Sequence, residues 1–109
     1  QGMETLMRPA LYGAQHRIFK VGEHGNNEST VDFTGQICEN TDRIATDREF
    51  PKLIEGDLIA IMDTGAYGYS MSHNFNTRPR AAEVLLDNSS YRLIRKRETI
   101  NDIFAHCDV

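Results

Sequence analysis

Short apolar runs separated by turn-forming residues dominate the hydrophobic pattern of this chain. Runs of five or six residues at 16–21, 29–34, 58–62, 82–86 and 91–95 are rich in Val, Ile, Leu, Phe and Tyr. Gly, Pro, Asn and Asp cluster between several of them, as is typical of short strands joined by turns. The pattern predicts a mainly β protein, a sandwich or distorted barrel with short helices, formed as one domain over residues 1–109.

The spacing of the runs also predicts how the strands pair. Residues 16–34 are expected to form a hairpin with a long loop, and residues 82–95 a second hairpin around the turn at 87–90. The run at 58–62 is apolar throughout, which indicates a strand buried on both faces. The mixed, charged stretch 43–51 predicts irregular structure that Pro51 ends.

Two short helical segments frame the strands. Pro9 and Gly13 are suited to the start and end of a helical turn within 5–15, which places Arg8 and Tyr12 on one side. A cation at a helix N-terminus opposes the macrodipole, so we expect either an anionic ligand for Arg8 or a solvated arginine beside a packing tyrosine. Near the C-terminus, Thr99 followed by Asp102 predicts a capped helix.

Composition and charge exclude several classes of function. Acidic residues outnumber basic ones by 16 to 12, a net charge of −4, which argues against nucleic acid or an anionic membrane as partner. The longest apolar run is too short to cross a bilayer, and no signal peptide is visible. We therefore expect a cytoplasmic protein in which Cys38 and Cys107 are free thiols. The start at Gln1, without an initiator methionine, suggests a piece of a longer protein.

The stretch 35–42 is the strongest candidate for chemistry. A glycine follows a predicted strand, and a thiol, Cys38, and a carboxylate, Glu39, come shortly after it. A thiol is a good proton donor near neutral pH, and a carboxylate suits a ligand ammonium group. The alternative is a polar turn with an incidental cysteine. His16 and His24 lack partners at metal-ligand spacing, so both are expected to face solvent and no metal site is predicted.

A second loop joins the strand at 58–62 to the C-terminal hairpin. Gly65 and Gly68 flank Ala66 and Tyr67, an arrangement that allows close approach of a ligand and holds Tyr67 at the strand's end. The amide-rich, proline-containing stretch 72–80 predicts an ordered loop rather than a helix or strand.

Three stretches together resemble one family. They are Gly2-Met3 leading to Arg8-Pro9-Ala10-Leu11-Tyr12, then Cys38-Glu39-Asn40-Thr41-Asp42, and then Asp63 through Gly68 with Asn74 through Val84. In order and spacing they resemble the C-terminal domain of the ornithine, diaminopimelate and arginine decarboxylases, which use pyridoxal 5′-phosphate (PLP). The resemblance covers nearly the whole chain. The glutamate directly after Cys38 favours diaminopimelate decarboxylase.

The resemblance implies an activity and an architecture. Members of this family pair a β domain with an N-terminal TIM-like barrel that carries the Schiff-base lysine, so this lysine is expected outside the chain. The implied reaction converts meso-diaminopimelate to L-lysine and CO2 in lysine biosynthesis. A homodimer with an active site shared across its interface is also implied.

The resemblance further assigns roles to five residues. Cys38 is similar to the acid that returns a proton after CO2 leaves, and Glu39 to the residue that binds the distal ammonium of the amino-acid substrate. Arg8 and Tyr12 are similar to the pair that binds the distal carboxylate, and Tyr67 to the tyrosine that contacts both substrate and cofactor. The alternatives are a stand-alone β-sandwich binding module and a relative acting on ornithine or arginine.

Overall fold

The computed structural model describes residues 1–22 and 25–108, which form three two-stranded antiparallel sheets and two short α-helices. This content confirms the predicted mainly β class. Two 3₁₀ turns, Tyr69–Met71 and Phe75–Thr77, lie in the loop that precedes the last hairpin. In chain order the elements are α1 Arg8–Tyr12, β1 Ile18–Lys20, β2 Ser29–Thr34, β3 Arg43–Phe50, β4 Ile59–Ile61, β5 Glu83–Asp87, β6 Ser90–Arg95 and α2 Ile100–Ile103.

The pairing of the first strands differs from the sequence prediction. The expected hairpin over 16–34 is wrong, because β1 pairs with β4, with Ile18 opposite Ile61, and β2 pairs with β3. The physical reason is burial: Ile18 and Ile61 both pack against the hydrophobic core, which a local hairpin would not ensure. The C-terminal hairpin of β5 and β6 is confirmed.

The stretch 43–51 was predicted to be irregular, and this prediction is wrong for residues 43–50. They form β3, which at eight residues is the longest strand of the described chain. Ile44 and Phe50 near its two ends are buried, while polar residues between them face solvent. Asp47 has a φ of 51°, and the register with β2 shifts on either side of Phe33. These irregularities break the alternation that would have identified the strand from sequence.

The core is small and lies between the segment that precedes α1 and the β2–β3 sheet. Leu6, Phe33, Ile44 and Phe50 form its buried cluster. The rings of Phe33 and Phe50 meet edge to face with centroids 5.0 Å apart, a favourable aromatic geometry. Removing either ring would leave a cavity next to the segment that leads into α1.

Burial of β4 on both faces is also wrong. Leu58, just before the strand, is 69% exposed, and Ile59 is exposed as well. The following hairpin is exposed on nearly every residue, including Leu86 at 76% and Tyr91 at 78%. In these segments, the apolar runs correctly predicted strands but did not predict whether the strands are buried.

His16 does not face solvent as predicted. It is 4% exposed, and its Nδ1 lies 2.9 Å from the carbonyl oxygen of Met62, with which it forms a hydrogen bond. The contact ties His16, two residues before β1, to the residue directly after β4, so the ring is held beside the β1–β4 pairing that the sequence did not predict. His24 lies outside the described residues.

The loop predicted over 72–80 is ordered, with one 3₁₀ turn at Phe75–Thr77, and Arg80 is its main anchor. The Arg80 guanidinium donates to Glu98 Oε1 at 2.9 Å and to Asn74 Oδ1 at 3.0 Å, and its backbone N–H donates to Glu98 Oε2 at 2.8 Å. The two hydrogen bonds to Glu98 connect the loop to the segment before α2, and the one to Asn74 braces the loop itself. The predicted cap of α2 is confirmed, because Thr99 and Asp102 form a reciprocal capping box.

Candidate functional site

The loop 35–42, which carries Cys38 and Glu39, is built around the buried carboxylate of Asp42. Asp42 Oδ1 accepts the backbone N–H of Met3 at 2.7 Å, and Oδ2 accepts that of Ile37 at 2.9 Å. The Asp42 backbone adds two hydrogen bonds, from its N–H to the Glu39 carbonyl at 3.1 Å and from the Gly35 N–H to its own carbonyl at 3.0 Å. One residue thus closes the loop on itself and joins it to the N-terminal segment.

Two glycines make room for this carboxylate. A Cβ on Gly35 would lie 2.1 Å from Asp42 Oδ2, and a Cβ on Gly2 would lie 2.3 Å from Oδ1. Neither position accepts a side chain unless Asp42 moves. Gly35 does follow the end of β2, as predicted. A glycine is needed there mainly because the Asp42 carboxylate approaches its Cα closely, rather than because the strand ends.

Cys38 and Glu39 lie exposed at the tip of this loop. The Glu39 carboxylate accepts hydrogen bonds from the Thr41 hydroxyl and, at 3.0 Å, from the Thr41 backbone N–H. These two bonds, the hydroxyl first, hold the pKa of Glu39 below its ordinary value. Glu39 therefore stays ionised into acidic pH and presents a negative charge beside a free thiol.

Arg8 and Tyr12 share one face of α1, as predicted. The helix begins at Arg8-Pro9 and ends at Gly13, whose φ of 66° is left-handed and whose N–H caps the Arg8 and Pro9 carbonyls. Tyr12 is exposed, and Arg8 is half-buried. Within residues 1–22 and 25–108, Arg8 forms no ion pair. Its charge is thus available to an anion.

Tyr67 lies on a separate turn after β4. Its φ of 61° is unusual for a residue with a side chain, and its ring is 65% exposed. A Cβ on Gly68 would lie 2.0 Å from the Thr64 carbonyl oxygen. Gly68 therefore serves the turn itself, while the prediction that Gly65 and Gly68 admit a ligand stays a prediction.

Glu4 and Arg78 form a second connection to the Cys38 loop. Glu4 is buried, and its Oε1 accepts the Nε–H of Arg78 at 3.2 Å. Arg78 also donates to Gln36 Oε1 at 3.0 Å, and the Glu4 carbonyl accepts the His73 N–H at 3.0 Å. The N-terminal segment is therefore hydrogen-bonded to both loops, at 36–42 and at 73–78.

The predicted site residues lie outside the cavity beside β4: four of the five are exposed and Arg8 is half-buried. A cavity of about 390 Å³ lies between β4, the turn at 64–69 and the start of β5, and Arg80 and Tyr69 line it. None of Arg8, Tyr12, Cys38, Glu39 and Tyr67 lines this cavity. In the described part of the chain, no cluster of three or more His, Cys, Asp or Glu side chains could hold a metal ion. No helix there is long and apolar enough to span a membrane.

Sequence reasoning missed Asp42, Glu4 and Arg78 as structural residues of the site. Asp42 lies in a polar stretch of the sequence, and an Asp in such a stretch is expected to be exposed, because buried carboxylates without a cation are rare. Gly2 and Gly35 both leave room for the Asp42 carboxylate, but Gly2 lies forty positions away from it in the chain and no local pattern links the three residues. Glu4 and Arg78 are separated by most of the sequence, so their pairing had no local pattern.

Comparisons with known proteins agree with one another. Residues 1–65 match the family model of the pyridoxal-dependent decarboxylase C-terminal sheet domain. Diaminopimelate decarboxylase from Aquifex aeolicus is 45% identical over 102 residues, which cover 94% of this chain and 24% of the relative. The enzyme of that name from Thermoplasma acidophilum is 49% identical over 105 residues, covering 95% and 25%.

A solved structure extends the likeness to three dimensions. Diaminopimelate decarboxylase from M. jannaschii in complex with L-lysine superposes with a TM-score of 0.91 at 43% identity, covering 99% of this chain and 25% of that one. The chain thus spans about a quarter of the length of the relatives it matches. On the family model and these identities, the chain belongs to the pyridoxal-dependent decarboxylases as their C-terminal sheet domain.

Proposed function

We propose that this chain is the C-terminal domain of a diaminopimelate decarboxylase, which converts meso-diaminopimelate to L-lysine and CO2. The observation that carries the proposal is the exposed Cys38–Glu39 pair on a loop held by the buried Asp42. The high identity to enzymes of that name supports the substrate. Residues 1–109 would form one domain, with an N-terminal barrel accounting for the rest of the protein.

Cys38 is the proposed proton donor. After CO2 leaves, the carbon that lost it must gain a proton, and an exposed thiol at a loop tip is able to reach a substrate outside this chain. A thiol is one of the side-chain groups that can act as a general acid, so Cys38 offers a proton as well as the reach.

Glu39, Arg8 and Tyr12 are the proposed substrate-binding residues. Glu39 is ionised and exposed, which suits the distal ammonium group. The Arg8 guanidinium matches the distal carboxylate with two parallel hydrogen bonds. Tyr12, one helical turn further along α1, offers a phenolic hydroxyl on the same side. Together they would fix the end of the substrate that does not react.

PLP, when bound, supplies the electron sink for loss of CO2. The residues of this chain fit one edge of such a site: the exposed ring of Tyr67 is suited to contact both cofactor and substrate. They do not supply the covalent attachment. Of the three lysines, Lys20 pairs with Asp57 at 3.1 Å, and Lys52 and Lys96 are exposed and do not line the 390 Å³ cavity. The Schiff-base lysine would come from the barrel.

The open placement of the site residues supports a site completed by other parts of the protein. A homodimer in which the Cys38 loop reaches the partner's barrel would enclose the substrate, and a cytoplasmic location would keep the thiol reduced. An enzyme acting on ornithine or arginine is the second candidate. It is less favoured because neither substrate carries the distal carboxylate that Arg8 would bind at the side-chain end.

The test uses the full-length protein. We expect CO2 release from meso-diaminopimelate to exceed release from L-ornithine or L-arginine by a large factor. Arg8→Lys should raise KM for diaminopimelate, because an ammonium group cannot reproduce the bidentate fork. For an analogue with hydrogen in place of the distal carboxylate, the rise should be much smaller.

Arg92→Lys is the matched control, since Arg92 is exposed on β6 and forms no ion pair within residues 1–22 and 25–108. It should leave both KM values unchanged. Equal losses for substrate and analogue in Arg8→Lys would remove Arg8 from the carboxylate site, and preference for ornithine or arginine would overturn the proposed substrate.

A further inference from the structure

Asp42, at the end of the loop 35–42, is unusual because it is a buried carboxylate in a loop. It is 3% exposed, and no cation pairs with it among residues 1–22 and 25–108. A buried carboxylate without a cation is expensive unless its oxygens are well hydrogen-bonded. Here both oxygens are satisfied by backbone N–H groups alone, at 2.7 and 2.9 Å.

The hydrogen bonds of Asp42 enclose Cys38 on both sides. The Ile37 N–H, which the side chain accepts, comes directly before Cys38, and the Glu39 carbonyl, which accepts the Asp42 N–H, comes directly after it. Rotation or displacement of the Cys38 backbone must therefore break a bond to the same residue. The backbone that carries the exposed thiol is thus held through the residues on either side of it.

The other oxygen of Asp42 reaches the segment that leads into α1. Its bond to the Met3 N–H joins residues 39 positions apart in the chain. Thr41 adds a contact from its hydroxyl to the sulfur of Met3, at 3.9 Å. Since Arg8 follows five residues after Met3 on a structured path, the carboxylate links the proposed proton donor to the proposed carboxylate-binding residues.

We propose that Asp42 is a positioning residue for the decarboxylase reaction, which sets Cys38 and Glu39 at a fixed place relative to α1. The inference rests on the proposed function and extends it to a residue that does not contact substrate. Gly2 and Gly35 are needed for the same arrangement, because a Cβ on either would displace the Asp42 carboxylate. Misplacing a catalytic group by about 1 Å lowers rate by roughly 10²-fold.

The experiment is a double-mutant cycle on the full-length enzyme. Asp42→Asn keeps the shape but turns one acceptor into a donor that faces a backbone N–H. We expect kcat with meso-diaminopimelate to fall by about 10²-fold in the wild-type background. In the Cys38→Ala background the same change should lower kcat by less than about twofold, because its effect acts through the thiol. An equal fall in both backgrounds would show a merely structural role and overturn the proposal.

Asp102→Asn is the matched control, since Asp102 also accepts a backbone N–H, from Thr99 at 2.7 Å, but on α2. It should leave kcat unchanged in both backgrounds. A ligand-free measurement accompanies the cycle: amide hydrogen exchange at Met3 and Ile37 should accelerate in Asp42→Asn and not in Asp102→Asn. Unchanged amide exchange at both Met3 and Ile37 would overturn the proposed positioning role of Asp42, whatever the kinetics show.

The two arms separate this inference from the proposed function. If Cys38→Ala turns over like wild type, Cys38 is not the proton donor and that part of the proposed function fails. In that case, faster amide exchange together with a raised KM in Asp42→Asn would still support a role for Asp42 in positioning the substrate-binding residues. An unchanged KM would contradict that role. If Asp42→Asn does not fold, Gly35→Ala replaces it, because the added methyl displaces the carboxylate while Asp42 itself remains.

Discussion

Residues 1–50 and residues 51–108 are stabilised in different ways. Apart from the two undescribed positions 23 and 24, the first region contains every buried side chain of the described chain, including the Phe33–Phe50 pair. In the second region only Gly68 is buried, and apolar residues such as Leu86 and Tyr91 are mostly exposed. The first region supplies the buried core, and the second packs against that core only through the partly buried Leu53 and Ile61. Much of the rest of the second region is ordered by hydrogen bonds and ion pairs.

The difference bears directly on the candidate site. Arg8, Tyr12, Cys38 and Glu39 lie in the first region, on segments joined by Asp42 and by the core, whereas Tyr67 lies in the second. The residues proposed to bind the distal end of the substrate and donate the proton therefore share one rigid support. The residue proposed to contact the cofactor is supported separately.

Truncating the core should have the largest effect on stability. Phe50→Ala removes a buried ring, so the free energy of unfolding should fall by about 3–5 kcal/mol in urea titrations of the chain. Tyr91→Ala, the matched aromatic truncation in the exposed hairpin, should change it by less than about 0.5 kcal/mol. Similar losses for both would mean that the two regions are not stabilised differently.

Sequence predicted local structure in this protein better than long-range contacts. Pro9, Gly13, Thr99 and the turn at 87–90 carry local signals, and the elements they predict are present. The pairing of β1 with β4 depends on burial of residues more than forty positions apart, which no local pattern encodes. Cys38 was proposed as a site residue from its chemistry alone, and this stays a prediction, whereas no local pattern indicated that Asp42 is buried.

In the second region, the stability should depend most on the hydrogen bonds of Glu98. Glu98 accepts hydrogen bonds from the Arg80 N–H at 2.8 Å, from Asn74 Nδ2 at 2.7 Å and from the Arg80 guanidinium at 2.9 Å. Glu98→Gln places an amide donor against these donors and should lower the free energy of unfolding by about 1–3 kcal/mol at neutral pH. Glu55→Gln, on an exposed turn, should change it little.

The effect of Glu98 should also depend on pH. The hydrogen bonds to Glu98, first that from the Arg80 N–H, hold its pKa below the ordinary 4.5. A lowered folded-state pKa gives stability that is present above the unfolded pKa and is lost as pH falls through the folded one. The difference between wild type and Glu98→Gln should therefore shrink on acidification below about pH 4.5. A difference that stays constant would exclude the ionised carboxylate as the cause.

Replacing Cys38 tests the central claim most directly. In the full-length enzyme, Cys38→Ala should lower kcat by roughly 10²-fold or more, with little change in substrate binding, because the thiol adds no charge to the bound ground state. In deuterated water, wild type should place deuterium on one face of the carbon that lost CO2, and the variant, which must take its proton from solvent, on both. Near-wild-type turnover with deuterium still on one face would contradict the account and assign the proton to another donor.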